Sequence, residues 1–450
     1  MYIREGGLRV IGLLDHMGYG NLGDAAVQES VIANIKKRLP AAQLVGFSLV
    51  PEDTTRRHGI PCYPILRWHP RLEKTAAAPV GRRPFRSRLK SALKNSRAVH
   101  IWAKPVLEFL REAVFLVRSY RAVRSLDALI ISGGGQLSEL WRGPWSHPYT
   151  IFKFSLLARL ARKKLYFLNV GAGPLKQPLS RFFVRCAVEL ADYRSFRDDD
   201  SRDLVRSLGV KSVMHVYPDP AYALEVGDHL KRPRRNSSMP VVGLNPIGFC
   251  DPRIWPRKDD SVYREYLEKV TRFSVWLLGQ GYSLRVFTNE TSVDHNAIED
   301  LRAGLLSKLS PELVSSVFQR PSWGVKDVLE EMAEFDVVVT SKFHGIIFSN
   351  LLGKPVIALS YHRKMDFAMR GTGQDRFCAD IEGFDGEWLI DAFRSSVAAS
   401  SSTKLKSSAA VEVYAAKLAE QFDNLFLNGA DLVPSKVFAT QGNLGHKRFE

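Results

Sequence analysis

At 450 residues the chain exceeds one ordinary hydrophobic core, and its 45% hydrophobic and 10% aromatic content fills two, which excludes a disordered or fibrous class. Four scattered cysteines (Cys62, Cys186, Cys250, Cys378) form no CxxC pair and have no histidines at ligand spacing, so no zinc site or disulfide framework is expected and a reducing compartment fits. The formal charge is +17, and residues Arg71 to Arg124 hold fourteen Lys/Arg against three Glu, so an anionic surface or polymer is the expected partner of that stretch.

The start, MYIREGGLRVIGLLDH, lacks a secretory peptide's basic head and continuous apolar stretch, and no run of 18 apolar residues occurs anywhere. A cytoplasmic protein, or one on the cytoplasmic face of a membrane, is therefore expected. LRVIGLLDH reads as a first strand and GYGNLGD as a glycine-rich turn. AAVQESVIANIKKRL follows with apolar residues at helical spacing and lysines near its end, as a helix dipole prefers. A second strand is expected near Gln43 to Leu49. Arg71 to Ser96 is a basic arm, and Ala98 to Leu126 a Val/Leu/Phe/Trp-rich helix with interleaved arginines. Aromatics are not interleaved with the basic cluster, which disfavours nucleic acid. Arm and helix together have the composition of an interfacial membrane element; the alternative is a solvated insertion packed on the first domain.

LDALIISGGGQLSE and KKLYFLNVGAGPL repeat the strand-then-glycine-turn theme. A helix over Leu179 to Ala191, a strand over Tyr193 to Arg197, a helix after Ser201 and a strand ending in HVYPDPAYAL complete the first domain, residues 1–224. Residues 225–240, with KRPRRNSSMP, are a linker. A second domain over 241–400 begins at VVGLNPIGF and continues through the strands SLRVFTNE, SSVFQR, DVVVTSKFHG and PVIALSY. Helices fit Ser261 to Gln280, Asp294 to Leu309, Lys326 to Glu334 and Gly386 to Ser395. SSSTKLKSS reads as a loop before an amphipathic helix over Ala409 to Phe426, within a tail of 401–450. The fold class is α/β: two doubly wound domains facing a central cleft, with a basic helical insertion (71–125) in the first. Such a cleft suits a transferase.

Strand tips of an open parallel sheet are where these folds bind ligands. Asp336 to Phe367 supplies two such tips, one carrying Ser341, Lys342 and His344 before Gly345, the other His362, Arg363 and Lys364. These residue types describe an anion site containing an acid/base residue, since imidazole titrates near neutrality and lysine offers a point charge. The turns at Gly18–Gly23, Gly133-Gly134-Gly135 and Gly171–Gly173 offer backbone amides to a ligand, with Asn21 and Asp24 beside the first. Arg197 ends a strand before RDDDS, where it serves an anion or pairs with the aspartates of a capped helix. Asp219 lies between two prolines at the domain junction. No GxxxxGK[ST], HExxH or GxSxG is present, which disfavours kinase, zinc-protease and standard hydrolase chemistry.

The ordered segments GYGNLGDAAVQESVI, ISGGGQL, NVGAGPL, SFRDDDSRDLVRSLGV, YPDPAYAL and SKFHGIIFSNLLGKPVIALSYHRKM resemble the polysaccharide pyruvyl transferase family over about Leu8 to Asp380. The resemblance implies two Rossmann-like domains, similar to a two-domain glycosyltransferase fold. It also implies transfer of pyruvyl from phosphoenolpyruvate to hydroxyls of a sugar in a surface polysaccharide precursor, forming a ketal without cofactor or metal. The implied acceptor is a glycan or lipid-linked oligosaccharide. On this likeness Lys342 and Arg197, with Ser341, Gly345 and Lys364, would hold the donor. His344 would donate a proton to the methylene carbon or the departing phosphate, and Asp24 or Asp219 would orient or deprotonate the sugar. Asn21, Gly134 and Gly135 would line the cleft. The family's usual Arg-Leu-His-Gly is here Lys342-Phe343-His344-Gly345. A sugar-nucleotide glycosyltransferase of the same architecture and a non-catalytic scaffold at the membrane are the alternative readings.

Overall fold

The structure, a computed structural model, describes residues 8–15, 18, 20–67, 104–140, 143–231, 239–318 and 322–428. The expected basic arm, part of the linker and the last twenty or so residues lie outside this set. In chain order the strands are β1 (Val10–Leu14), β2 (Gln43–Ser48), β3 (Cys62–Pro64), β4 (Ala128–Ser132), β5 (Lys164–Val170), β6 (Tyr193–Phe196), β7 (His215–Val216), β8 (Val241–Asn245), β9 (Ser283–Val286), β10 (Val337–Thr340), β11 (Val356–Ser360) and β12 (Cys378–Asp380).

All pairings among them are parallel, in two sheets ordered β3-β2-β1-β4-β5-β6-β7 and β12-β11-β10-β8-β9. β4 (ALIIS) and β11 (VIALS) are buried at every position, the continuous apolar run of strands covered by helices on both faces. Strand order reverses at β1/β4 in the first sheet and at β8/β10 in the second. Each reversal opens a crevice beyond the carboxyl ends. The doubly wound, two-domain expectation describes this architecture.

The two domains share one apolar cluster that runs from Ile11 and Val27 through Tyr222 into Val242, Phe348 and Phe393. Backbone joins them as well: Leu22 N–H donates to the Asn289 carbonyl at 2.7 Å, and Asn21 bridges to Glu290. The chain then returns to its first domain through the helix Ser400–Phe426. There Arg38 Nε sits 2.6 Å from Asp423 Oδ1, and Gln421 bonds Asn169, Tyr193 and Ser195.

Two local expectations are corrected. SSSTKLKSS is not a loop but the opening of that 27-residue helix, with Thr403 and Ser407 buried. Ser402 and Ser407 donate to the carbonyls three residues back, which satisfies hydroxyls that otherwise favour turns. Ser315–Val317 of the expected strand SSVFQR are helical instead: Ser310 caps the helix Pro311–Val317, with proline at its first position, and among the described residues of that segment only Phe318 bridges to Val286.

Candidate active site

Both crevices empty into the space between the domains, and the turns leaving β1 and β10 meet there. Asn21 caps the helix Leu22–Arg38, its Oδ1 accepting from the N–H groups of Gly23 (3.0 Å) and Asp24 (3.1 Å). That cap places Asp24 in the first turn. From the other side, Lys342 ends the turn after β10 and the helix Phe343–Leu351 begins, with His344 in its first turn. The imidazole lies against Gly23: a Cβ built there would fall 2.0 Å from His344 Nδ1. Glycine at that position is what allows the two turns to close on each other.

Lys342 is buried, its Nζ 2.7 Å from Glu290 Oε2 and 2.8 Å from Asp294 Oδ1. Burial alone would depress the ammonium, but Asp294 and then Glu290 outweigh it and raise its pKa. Burial pushes the Asp294 carboxyl up to about 6 against the pull of Lys342. As an anion-binding group, Lys342 is thus already matched by two carboxylates. Ser341 is likewise engaged, its Oγ 3.0 Å from Tyr266 Oη. Gly345 opens no path for a ligand, because its missing Cβ is filled by Thr340 Oγ1, 2.3 Å from that position.

Two cations, Arg197 and Lys364, gather at the ring of Phe343. Arg197 Cζ lies 5.0 Å from the ring centroid and Lys364 Nζ 5.4 Å, with Lys364 also 5.8 Å from the ring of Tyr361. Arg197 crosses Gly171 so closely that a Cβ there would be 2.5 Å from Nη2. Its carboxylate neighbours are loose, Asp198 at 3.4 Å and Asp219 at 3.7 Å, and its buried Nε makes no hydrogen bond among the described residues. Burial, then Arg197, lowers the Lys364 ammonium to about 8. Both residues line a cavity of about 270 Å³ whose other walls include Tyr217, Tyr222, Phe367 and Tyr414.

Protonation follows from this crowding. Burial, reinforced by Glu290, lifts the Asp24 carboxyl to about 7 although Lys364 and Arg197 oppose it. Burial, with Lys364, Arg197 and Lys342 nearby, drives the His344 imidazole well below its ordinary value. Its Nε2 is buried and finds no hydrogen-bond partner among the described residues. At neutral pH the site therefore presents a neutral imidazole beside a carboxyl poised between its two forms.

A family profile described as polysaccharide pyruvyl transferase matches residues 21–363, a span that contains Asp24, Arg197, Asp219, Glu290, Asp294, Lys342 and His344 but ends before Lys364, Phe367 and Tyr414. The chain belongs to the polysaccharide pyruvyl transferase family. This transferase matches no curated protein sequence. Its fold is similar to that of UDP-GlcNAc 2-epimerase from Methanocaldococcus jannaschii (9% identity, 86% of this chain and 91% of that one, TM-score 0.51). It is also similar to the S. aureus MnaA–UDP co-structure (10%, 92% and 94%, TM-score 0.53). A UDP-glucose:anthocyanidin 3-O-glucosyltransferase in complex with UDP aligns at 11% identity over 92% and 99%, TM-score 0.50. These likenesses establish two Rossmann-like domains in the transferase.

Within the pyruvyl transferase, the structure gathers Asp24, Arg197, His344, Lys364 and Asp219 into one electrostatic neighbourhood. Asp219 is buried, accepts from Ala221 N–H at 3.0 Å, and faces Arg197. Asn21 spends its side-chain oxygen on its helix cap. Gly134, at φ +58, takes a left-handed conformation open to glycine, and its missing Cβ would approach Asp24 Oδ1 at 3.4 Å. Gly135 borders open space. His362 caps the helix Arg363–Gly371 through Lys364 N–H, and burial lowers its pKa to about 4. Sequence reading missed Glu290, Asp294, Phe343 and Tyr361. The available signal was position: Glu290 follows β9 at its carboxyl end, and Tyr361 follows β11.

Proposed function

We propose that this transferase moves the pyruvyl group of phosphoenolpyruvate onto two hydroxyls of a sugar in a polysaccharide precursor, forming a ketal and releasing phosphate. The observation that carries this reading is the Arg197–Phe343–Lys364 arrangement beside His344. Two cations without tight carboxylate partners stand at the mouth of a small, aromatic-walled cavity. A donor bearing both a phosphate and a carboxylate matches two such cations, with arginine suited to a bidentate oxyanion contact. The tyrosines and Phe367 offer faces to a sugar ring.

The proton inventory supports a division of labour that differs from His344 acting first as an acid. Protonated Asp24 delivers its proton to the methylene carbon, which leaves C2 cationic. A sugar hydroxyl attacks C2 and passes its proton to neutral His344 Nε2. The negative charge of the bound donor raises the affinity of that imidazole for the proton. The C2–O bond to phosphate then breaks, and His344 protonates the leaving group. The second hydroxyl attacks the regenerated cation and returns a proton to Asp24. Two hydroxyl protons are thus accounted for, one on the new methyl group and one on phosphate. Lys342, clamped by Glu290 and Asp294, holds the His344 turn in place.

The test is calorimetric titration of the full chain with phosphoenolpyruvate and, separately, with nucleotide sugars, followed by phosphate release in the presence of glycan acceptors. Phosphoenolpyruvate binding that Arg197→Ala weakens roughly 10- to 100-fold, with acceptor-dependent phosphate release, is the expected result. Binding of a nucleotide sugar without phosphoenolpyruvate would replace this reading with a glycosyltransferase.

A further inference from the structure

The first domain carries an outward face that the chemistry above does not use. The helix Lys104–Arg124 buries Phe115, Ser119, Ala122 and Val123 against its domain. Its opposite side is not the polar face expected of a surface helix. Leu107, Phe109, Leu110, Val114 and Val117 all project outward there, Phe109 72% and Leu110 54% exposed. Arg111, Arg118, Arg121 and Arg124 are exposed among them. The helix packs on His147–Leu160, which packs on Pro178–Glu189, and this layer continues the apolar surface through Trp145 (66% exposed) and Phe182. Surfaces of this kind are uncommon on proteins surrounded by water alone.

We infer that this face docks the enzyme on an anionic lipid surface. Exposed Phe, Leu, Val and Trp interleaved with arginines match a helix lying in the headgroup region, apolar side chains inserted and guanidinium groups at the phosphates. Charge decides against a second copy as the occupant. The Arg71–Arg124 stretch has fourteen basic and three acidic residues within a chain of +17, so self-pairing would set like charges together. No described helix is long and apolar enough to cross a membrane.

The placement is productive. Alongside the helix, bordered by the exposed Leu110, Val114 and Arg118, runs a groove of about 690 Å³ with Leu49, Leu66 and Phe115 on its walls and Arg67 beside them. It opens beyond the carboxyl ends of β2 and β3, on the same edge of the sheet as the crevice at β1. Val50, next to the groove, packs on Gly18 of the turn that leads to Asp24, 2.5 Å from where a Cβ would stand. A precursor held by a lipid would thus lie on the edge of the sheet that bears the reactive groups. The surface inference does not depend on the identity of the donor.

The experiment is co-flotation of the full chain with phosphatidylcholine vesicles, with and without phosphatidylglycerol, at low and high salt. Wild type is expected to float with the phosphatidylglycerol vesicles and to be released by salt. Phe109→Ser/Leu110→Ser/Val117→Ser should weaken partitioning on the order of tenfold or more, and Arg118→Glu/Arg121→Glu by a similar factor. These side chains are exposed, so unchanged thermal melts would show that the variants fold. Absence of wild-type flotation, or variants that float like wild type, would overturn the inference. So would a wild-type dimer in sedimentation velocity that the serine variant converts to monomer without any vesicle binding.

Discussion

Gly23 and His344, 321 residues apart in the chain, are in direct contact: a single added methyl group at position 23 would overlap the imidazole Nδ1. Gly23→Ala therefore has to displace either the histidine or the helix start that carries Asp24. We expect a loss of about 1–3 kcal/mol in stability from overpacking, read in a denaturant melt. A fall in turnover of roughly a hundredfold should accompany it, since a misplacement of about 1 Å costs that much.

Lys342 should behave as a structural cation. Removing it in Lys342→Ala leaves Glu290 and Asp294 uncompensated in a buried site, at a cost of about 3–5 kcal/mol. Adding Glu290→Gln and Asp294→Asn should recover most of that stability. If Lys342→Ala is as stable as wild type but loses donor affinity, Lys342 is a donor ligand instead.

Arg197 and Lys364 should give the opposite pattern. Arg197→Ala and Lys364→Ala remove cations that have only loose carboxylate neighbours, so melting should change little. Donor affinity by calorimetry should fall roughly 10- to 100-fold for each. Arg197→Lys should restore only part of it, because lysine lacks the guanidinium fork.

The Asp24 carboxyl ties activity and stability to pH in the same sense, both falling as pH rises toward and past about 7. Its folded value of about 7 lies above its ordinary 3.8, so the fold prefers the protonated form. That stability is fully present below about 3.8 and is lost as pH rises through about 7. Asp24→Asn should remove this slope and gain up to about 4 kcal/mol at pH 8, since each pH unit between 3.8 and about 7 is worth about 1.4 kcal/mol. Turnover of wild type should decline as pH rises past about 7, and the asparagine variant should be inactive at every pH. A flat wild-type stability profile between pH 5 and pH 8 would contradict the assignment.

Strand tips were legible because parallel strands buried on both faces appear as short apolar runs, and the turns after them carry the polar groups. Asp24, Arg197, His344 and Lys364 stand out on that logic. It failed for SSSTKLKSS, where helical packing overrides a composition that favours turns, and for the described part of SSVFQR, where a Ser-Pro helix start prevails over Val317. It could not distinguish Lys342 from Lys364. Both are lysines at strand tips, and only the distances to Glu290 and Asp294 show that one is neutralised.

The sequence by itself determined the α/β class, the two-domain plan and the family, because these rest on local periodicity and on motifs read in order. Tertiary structure alone decided which charges are spent and which are available. Burial and the approach of groups dozens to hundreds of residues apart set the protonation of Asp24 and His344. The same long-range packing turned one face of the Lys104–Arg124 helix inward and left Leu107, Leu110, Val114, Val117 and four arginines outside.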